Sequence, residues 1–115
     1  MMKQIKGSEM KSLVAGTDRL TLVDFSASWC GPCRMIHPVL EALSSEMAGR
    51  VDFYKIDVDE SREEAGAMGV QGVPTMVIFH GGTEIDRQVG FRDKEELKGI
   101  LEDLADRHLP RGAVR

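Results

Sequence analysis

The 115-residue sequence is poor in several features, and each shortage excludes something. It has only two cysteines, Cys30 and Cys33. A pair that close in sequence closes too small a loop to staple a fold, and a lasting structural disulfide is not expected in a reducing compartment. No run approaches the roughly 20 apolar residues that a membrane helix requires. Basic residues are not in excess: 15 Lys and Arg stand against 19 Asp and Glu, for a net charge of -4. A phosphate-binding surface needs clustered Lys and Arg, so neither nucleic acid nor membrane is an expected partner. The polar stretch 1–11 has no apolar core followed by a small-residue cleavage site, so a cytoplasmic protein is expected. There is no internal repeat, low-complexity segment or dividing linker. With no dinucleotide fingerprint or phosphate loop, no cofactor is expected. What is present is a chain of single-domain length, 42% hydrophobic and 30% charged. It can bury a core without metal or disulfide staples.

Spacing predicts the elements. Ser8 to Ala15 reads as a helix, with Ser8 as N-cap, Met10, Leu13 and Val14 at helical spacing, and Gly16 as its stop. Leu20 to Phe25 is β-rich and nearly all apolar, which suits a strand covered on both faces. Met35 to Ala48 reads as a helix whose apolar face is Met35, Ile36, Val39, Leu40, Leu43 and Met47. Gly49 ends it, and Pro38 should kink it. Val51 to Val58 is a strand, and Glu60 to Met68 a short helix capped by Asp59 or Ser61. Thr75 to Phe79 and Glu84 to Val89 flank Gly81-Gly82, a hairpin signal. Lys94 to Arg107 is an amphipathic helix with Asp93 as N-cap and Leu97, Ile100, Leu101 and Leu104 inward. The order predicts an α/β domain over 1–108, with a mixed central sheet, helices on both faces and a short tail over 109–115.

The chemistry centres on Trp29-Cys30-Gly31-Pro32-Cys33, between a strand and a helix. A residue at a helix start meets unpaired N–H groups and the positive end of the macrodipole. Both favour a thiolate at Cys30, the attacking species in disulfide exchange. Cys33, one turn on, returns to the same face and can release a mixed disulfide. Gly31 lets a substrate backbone approach, and Pro32 suits a first helical turn. The alternative is metal: His37 adds a third possible ligand, but a structural zinc site needs four, and His80 and His108 are far away in sequence. No metal is expected. Asp24 is a carboxylate inside an apolar strand, on the face of Leu20 and Leu22, where desolvation should raise its pKa. The competing reading is a solvated charge at a strand end. His37 reads as a helix surface residue, and Asp57-Val58-Asp59-Glu60 as a solvated strand end and helix start.

The residues from Val23 through Trp29-Cys30-Gly31-Pro32-Cys33 to Ile36 resemble the active-site segment of the thioredoxin family. Val70-Gln71-Gly72-Val73-Pro74-Thr75 is similar to that family's cis-proline loop, and Phe79-His80-Gly81-Gly82 and Val89-Gly90 to its later hairpin. The likeness runs from about Leu20 to Leu104 and implies the thioredoxin fold. It further implies that Cys30 is the nucleophile, Cys33 the resolving thiol and Asp24 a proton-transfer residue. Lys55 resembles the lysine that pairs with this Asp, although an ordinary surface lysine is the other reading. A cis Val73–Pro74 bond is implied, leaving the Val73 backbone to pair with an extended substrate. Trp29, Gly31, Pro32, Val58, Gly72, Val73 and Gly90 would then form an apolar groove around Cys30. The partners implied are disulfide-containing proteins and an NADPH-dependent thioredoxin reductase, with the chain itself a monomer. Ser26 and Arg34 depart from the commonest bacterial pattern, which bears on partner preference rather than chemistry. An oxidase or isomerase, and a binding module without a redox cycle, are the alternatives. Gly31-Pro32 speaks against the first and the intact cysteines, Asp24 and Pro74 against the second.

Overall fold

The computed structural model describes residues 2–110. It contains five strands and four helices: β1 (Lys3–Gln4), α1 (Gly7–Ala15), β2 (Leu20–Ser26), α2 (Gly31–Glu46), β3 (Val51–Asp57), α3 (Arg62–Ala67), β4 (Thr75–His80), β5 (Thr83–Val89) and α4 (Lys94–His108). The sheet order is β1-β3-β2-β4-β5. β1, β3 and β2 are mutually parallel, while β4 runs antiparallel to both β2 and β5. This is the mixed α/β sheet that the alternation of elements predicts.

β2 is the central strand, and all seven of its residues are buried. Alternation sends Leu20 and Leu22 to one face, where Ile36, Leu40 and Leu43 of α2 and Leu97, Leu101 and Leu104 of α4 cover them. Val23 and Phe25 point to the other face, against Met10 and Val14 of α1 and Ala65 of α3. A strand enclosed on both sides cannot alternate polar and apolar residues, which is why this run reads as continuously hydrophobic. Asp24 is the exception on it, at 0% exposure.

Several boundaries differ from the sequence expectations. β1 escapes prediction because two exposed residues, Lys3 and Gln4, carry no periodic signal. α1 begins at Gly7 with Lys6 as N-cap, not Ser8; Glu9 reaches back to the Lys6 N–H at 2.9 Å. α2 begins at Gly31, four residues before Met35, since Cys30 itself caps it and Pro32 sits in its first turn. It ends at Glu46 rather than Ala48 and runs through Pro38. Met35 is 58% exposed, not inward, because the buried stripe of α2 follows Cys33, Ile36, Leu40 and Leu43 at spacings of three and four. α3 is shorter than Glu60 to Met68. Ser61 precedes it, but its hydroxyl accepts the Gly7 N–H at 3.0 Å instead of capping its own helix. Gly81 and Gly82 have φ of 59° and 82°, the pair of positive values that a two-residue hairpin loop needs. Asp93 caps α4, accepting the Glu96 N–H at 2.8 Å. Leu109, assigned from sequence to the tail, donates its N–H to Ala105 and packs against the core. The rest of the expected tail, 111–115, lies outside the described residues. Among the described residues no helix is long and apolar enough to cross a membrane.

Candidate active site

The site forms where β2 gives way to α2. Cys30 is the N-cap of α2, in extended conformation, and its Sγ accepts the Cys33 N–H at 3.2 Å. A sulfur in that position takes the place of the Ser or Asp oxygen that usually receives an orphan N–H. It therefore sits at the positive end of a 16-residue helix with a donor aimed at it. Cys30 Sγ lies 3.6 Å from the Val73 carbonyl oxygen, to which its thiol donates. The Val73–Pro74 bond is cis. Both thiols are free and buried, with Cys30 6% and Cys33 4% exposed.

Cys33 is the more enclosed in chemical terms. Burial, then the hydrogen bond with the Cys30 thiol, push its pKa up to about 12, and the nearby charge of Asp24 adds to the push. Asp24 lies on β2 behind the pair. Neither carboxyl oxygen has a hydrogen-bond partner among the described residues. Burial raises its pKa to about 7, against the opposing pull of the Lys55 charge. Lys55 is the register partner of Asp24 on β3 and is half-buried. Two further buried groups on β2, Thr21 Oγ1 and Ser26 Oγ, are also unpartnered.

Two hollows flank the thiols. On the outer side lies an open groove of about 550 Å³, lined by Trp29, Cys30, Gly31, Pro32, Val58, Gly72 and Val73, with Ala65, Val70 and Gln71 completing it. Pro74 and Gly90 do not line this groove. Pro74 is buried, and its carbonyl accepts the Gly90 N–H at 2.8 Å, which closes the end of the β4–β5 ladder. Trp29 is 66% exposed, and its indole Nε1–H donates to Asp59 at 2.8 Å. Sequence reasoning treated Asp59 as solvent-facing and omitted Ala65, Val70 and Gln71. No local signal marks them, because the α3 end meets the Trp29 loop only in the fold. On the rear side a cleft of about 200 Å³ is lined by Ala27, Ser28, Cys33, Arg34, His37 and Lys55. Among the described residues no three His, Cys, Asp or Glu groups are placed to hold a metal ion.

Comparison with known proteins decides the family. The thioredoxin family model matches residues 1–103. The chain belongs to the thioredoxin family. It is 40% identical to the thioredoxin of Bacillus subtilis (strain 168) over 105 residues, 91% of this chain and 97% of that one. It is 43% identical to chloroplastic thioredoxin M4 of Arabidopsis thaliana over 98 residues, 85% of this chain; the match spans about half, 51%, of that relative's length. Among solved structures, chloroplastic thioredoxin z superposes with a TM-score of 0.84 at 34% identity, covering 91% of this chain and 95% of that one. Thioredoxins are protein-disulfide oxidoreductases, and the chain is an enzyme of that kind, with its two cysteines close together as a dithiol.

Proposed function

We propose that the chain is a general reductase of protein disulfides in which Cys30 attacks and Cys33 resolves. The observation that carries this division of labour is the N-cap geometry. Cys30 Sγ receives a backbone N–H at the start of α2 and borders the open groove, whereas Cys33 lies one turn inside. The Cys30 thiolate displaces one sulfur of a target disulfide and forms a mixed disulfide. Cys33 then displaces the target's second sulfur from Cys30, leaving Cys30–Cys33 oxidised and the target reduced.

The second displacement needs a base. With its pKa pushed up to about 12, Cys33 keeps its proton at neutral pH. Asp24, with a pKa of about 7, is poised to take that proton, since a base works best when its pKa lies near the working pH. Lys55, alongside it, steadies the carboxylate once formed. The groove residues Trp29, Gly31, Pro32, Val58, Gly72 and Val73 receive an extended segment of the target, which pairs with the Val73 backbone as an added strand. Pro74 and Gly90 support that loop from beneath. In this reading the oxidised protein is returned to the dithiol by an NADPH-dependent thioredoxin reductase. The protein works as a cytoplasmic monomer without metal or bound cofactor.

Cys33→Ser is the test. It is expected to accumulate a covalent complex with disulfide-bearing proteins, linked through Cys30 and released by added dithiol, visible as a shifted band without reductant. Complexes through Cys33 in a Cys30→Ser variant, with none in Cys33→Ser, would reverse the roles.

A further inference from the structure

His37 follows Cys33 by four positions on α2, so the two stand on one face of the helix. A long helical side chain leans back over the turn that precedes it, which sets the imidazole above Cys33 and Arg34. All three line the rear cleft, together with Lys55 from β3 and Ala27 and Ser28 from the loop after β2. The two ring nitrogens differ. Nε2 lies 3.5 Å from Glu41 Oε2 and is the edge turned toward a charge. Nδ1 is buried and has no partner among the described residues. Glu41 is itself fixed, since its Oε1 accepts the Met2 N–H at 3.0 Å. Glu41 thus sets a negative charge beside one edge of the imidazole, while the nitrogen on the other edge is left without a partner among the described residues.

The remaining groups around the ring are few. Arg34, on the wall of the same cleft, donates to the Ser28 carbonyl at 2.9 Å. Lys55 faces it across the cleft from β3, and Asp24 on β2 lies behind Cys33, where its charge acts on that thiol. The cleft has volume for a water between imidazole and thiol.

We propose that His37, oriented by Glu41, is a second proton acceptor for Cys33, working from the rear cleft in parallel with Asp24. The Cys33 S–H bond breaks and its proton passes to Nδ1. The freed sulfur forms the bond to Cys30 Sγ, and the bond between Cys30 and the target's sulfur breaks, with its electron pair leaving on the target as a thiolate. The imidazolium is paired with Glu41 until it returns the proton to solvent. No oxidant or reductant beyond the mixed disulfide is involved. This inference rests on Cys33 being the resolving thiol.

Parallel acceptors have a kinetic signature that a structural role lacks. If the two routes carry similar flux, losing either one slows resolution by about twofold, while losing both removes a general-base contribution of about 100-fold or more. The experiment preforms the mixed disulfide between Cys30 and a small protein or peptide thiol. It then follows release of that thiol by stopped flow from pH 5 to 9, in the wild type, His37→Gln, Asp24→Asn and the double variant. The rate of the first attack on a disulfide is measured in the same four proteins. The expected result is a modest effect of each single change and a collapse of release in the double variant, with first attack altered by less than twofold on adding His37→Gln to either background. In the Asp24→Asn background Glu41→Gln should slow the residual release, because the imidazole loses the carboxylate beside it. Release in the double variant equal to that in Asp24→Asn, at every pH, would overturn the role of His37 and leave the role of Cys33 standing. Failure of the wild type to release the thiol at all would overturn both.

Discussion

Replacing Asp24 by Asn should make the protein more stable in alkaline solution and leave it little changed in acid, and the size of the effect follows from the burial of the carboxyl. In the unfolded chain this group has its ordinary pKa of 3.8, and in the folded protein about 7. Below the unfolded value both states are protonated and no penalty exists. Between the two values unfolding releases a proton that the folded protein retains, so stability falls as pH rises. Above about 7 both states are ionised and the loss levels off. A difference of about 3 pKa units at 1.36 kcal/mol each gives a penalty of about 4 kcal/mol on that plateau. Asn carries no charge, so it escapes this penalty. Its amide is left without partners just as the protonated carboxyl is, so that cost is common to both proteins and largely cancels. The variant should therefore gain up to about 4 kcal/mol at pH 8.5 and change by less than about 1 kcal/mol at pH 4. Urea unfolding of both proteins across pH 4–9 measures this directly, with equal m-values confirming that only stability has changed. Stability curves that run parallel across this range would refute the reasoning, since they would mean that Asp24 titrates alike in both states.

Two further changes probe the surroundings. Lys55→Met removes the charge that pulls the Asp24 pKa down, so that pKa should rise further. The fall in stability should then continue to higher pH than in the wild type, and carboxyl NMR titration would locate the new midpoint. Gly72→Leu tests the groove. A Cβ at Gly72 meets nothing within 4 Å, so stability should change by less than about 1 kcal/mol. The added side chain should raise KM for protein disulfides severalfold while leaving reduction of a small disulfide unaffected, as steady-state assays on the two substrates would reveal.

Much of this molecule is legible in the sequence because its signals are local. The apolar run of β2, the glycine pair of the hairpin and Asp93 before α4 each state their role within a few residues. For α2, Pro32 marks the first turn, but the apolar pattern in the sequence becomes regular only from Met35, and a sulfur acceptor is not among the usual capping signals. β1 was missed because it contributes only two exposed residues. The dithiol could be found from spacing alone, whereas the roles of its neighbours depend on folding. The hydrogen bond from Trp29 to Asp59 joins residues 30 positions apart. The proximity of Val73 to Cys30 spans 43. His37 borders the buried stripe of α2, and only the fold places Lys55 and Ser28 around it to make a cleft.

The order of the sheet bears on where an extended chain could pair with the protein. A sheet invites further strands at its open edges, and here those edges are β1 and β5. β1 is only two residues long and offers no length along which a neighbour could zip. β5 presents Glu84, Asp86, Arg87 and Gln88 in close succession, three of them charged, and its register with β4 shifts at Ile78 and Phe79. Charge and irregularity both discourage edge-to-edge growth. In the proposed mode of binding, backbone recognition is left to the short loop at Val73, where a sulfur stands 3.6 Å away. A chain that arrives there meets chemistry and can be released by it. One that arrived at an edge would meet only more sheet, and would have no reason to leave.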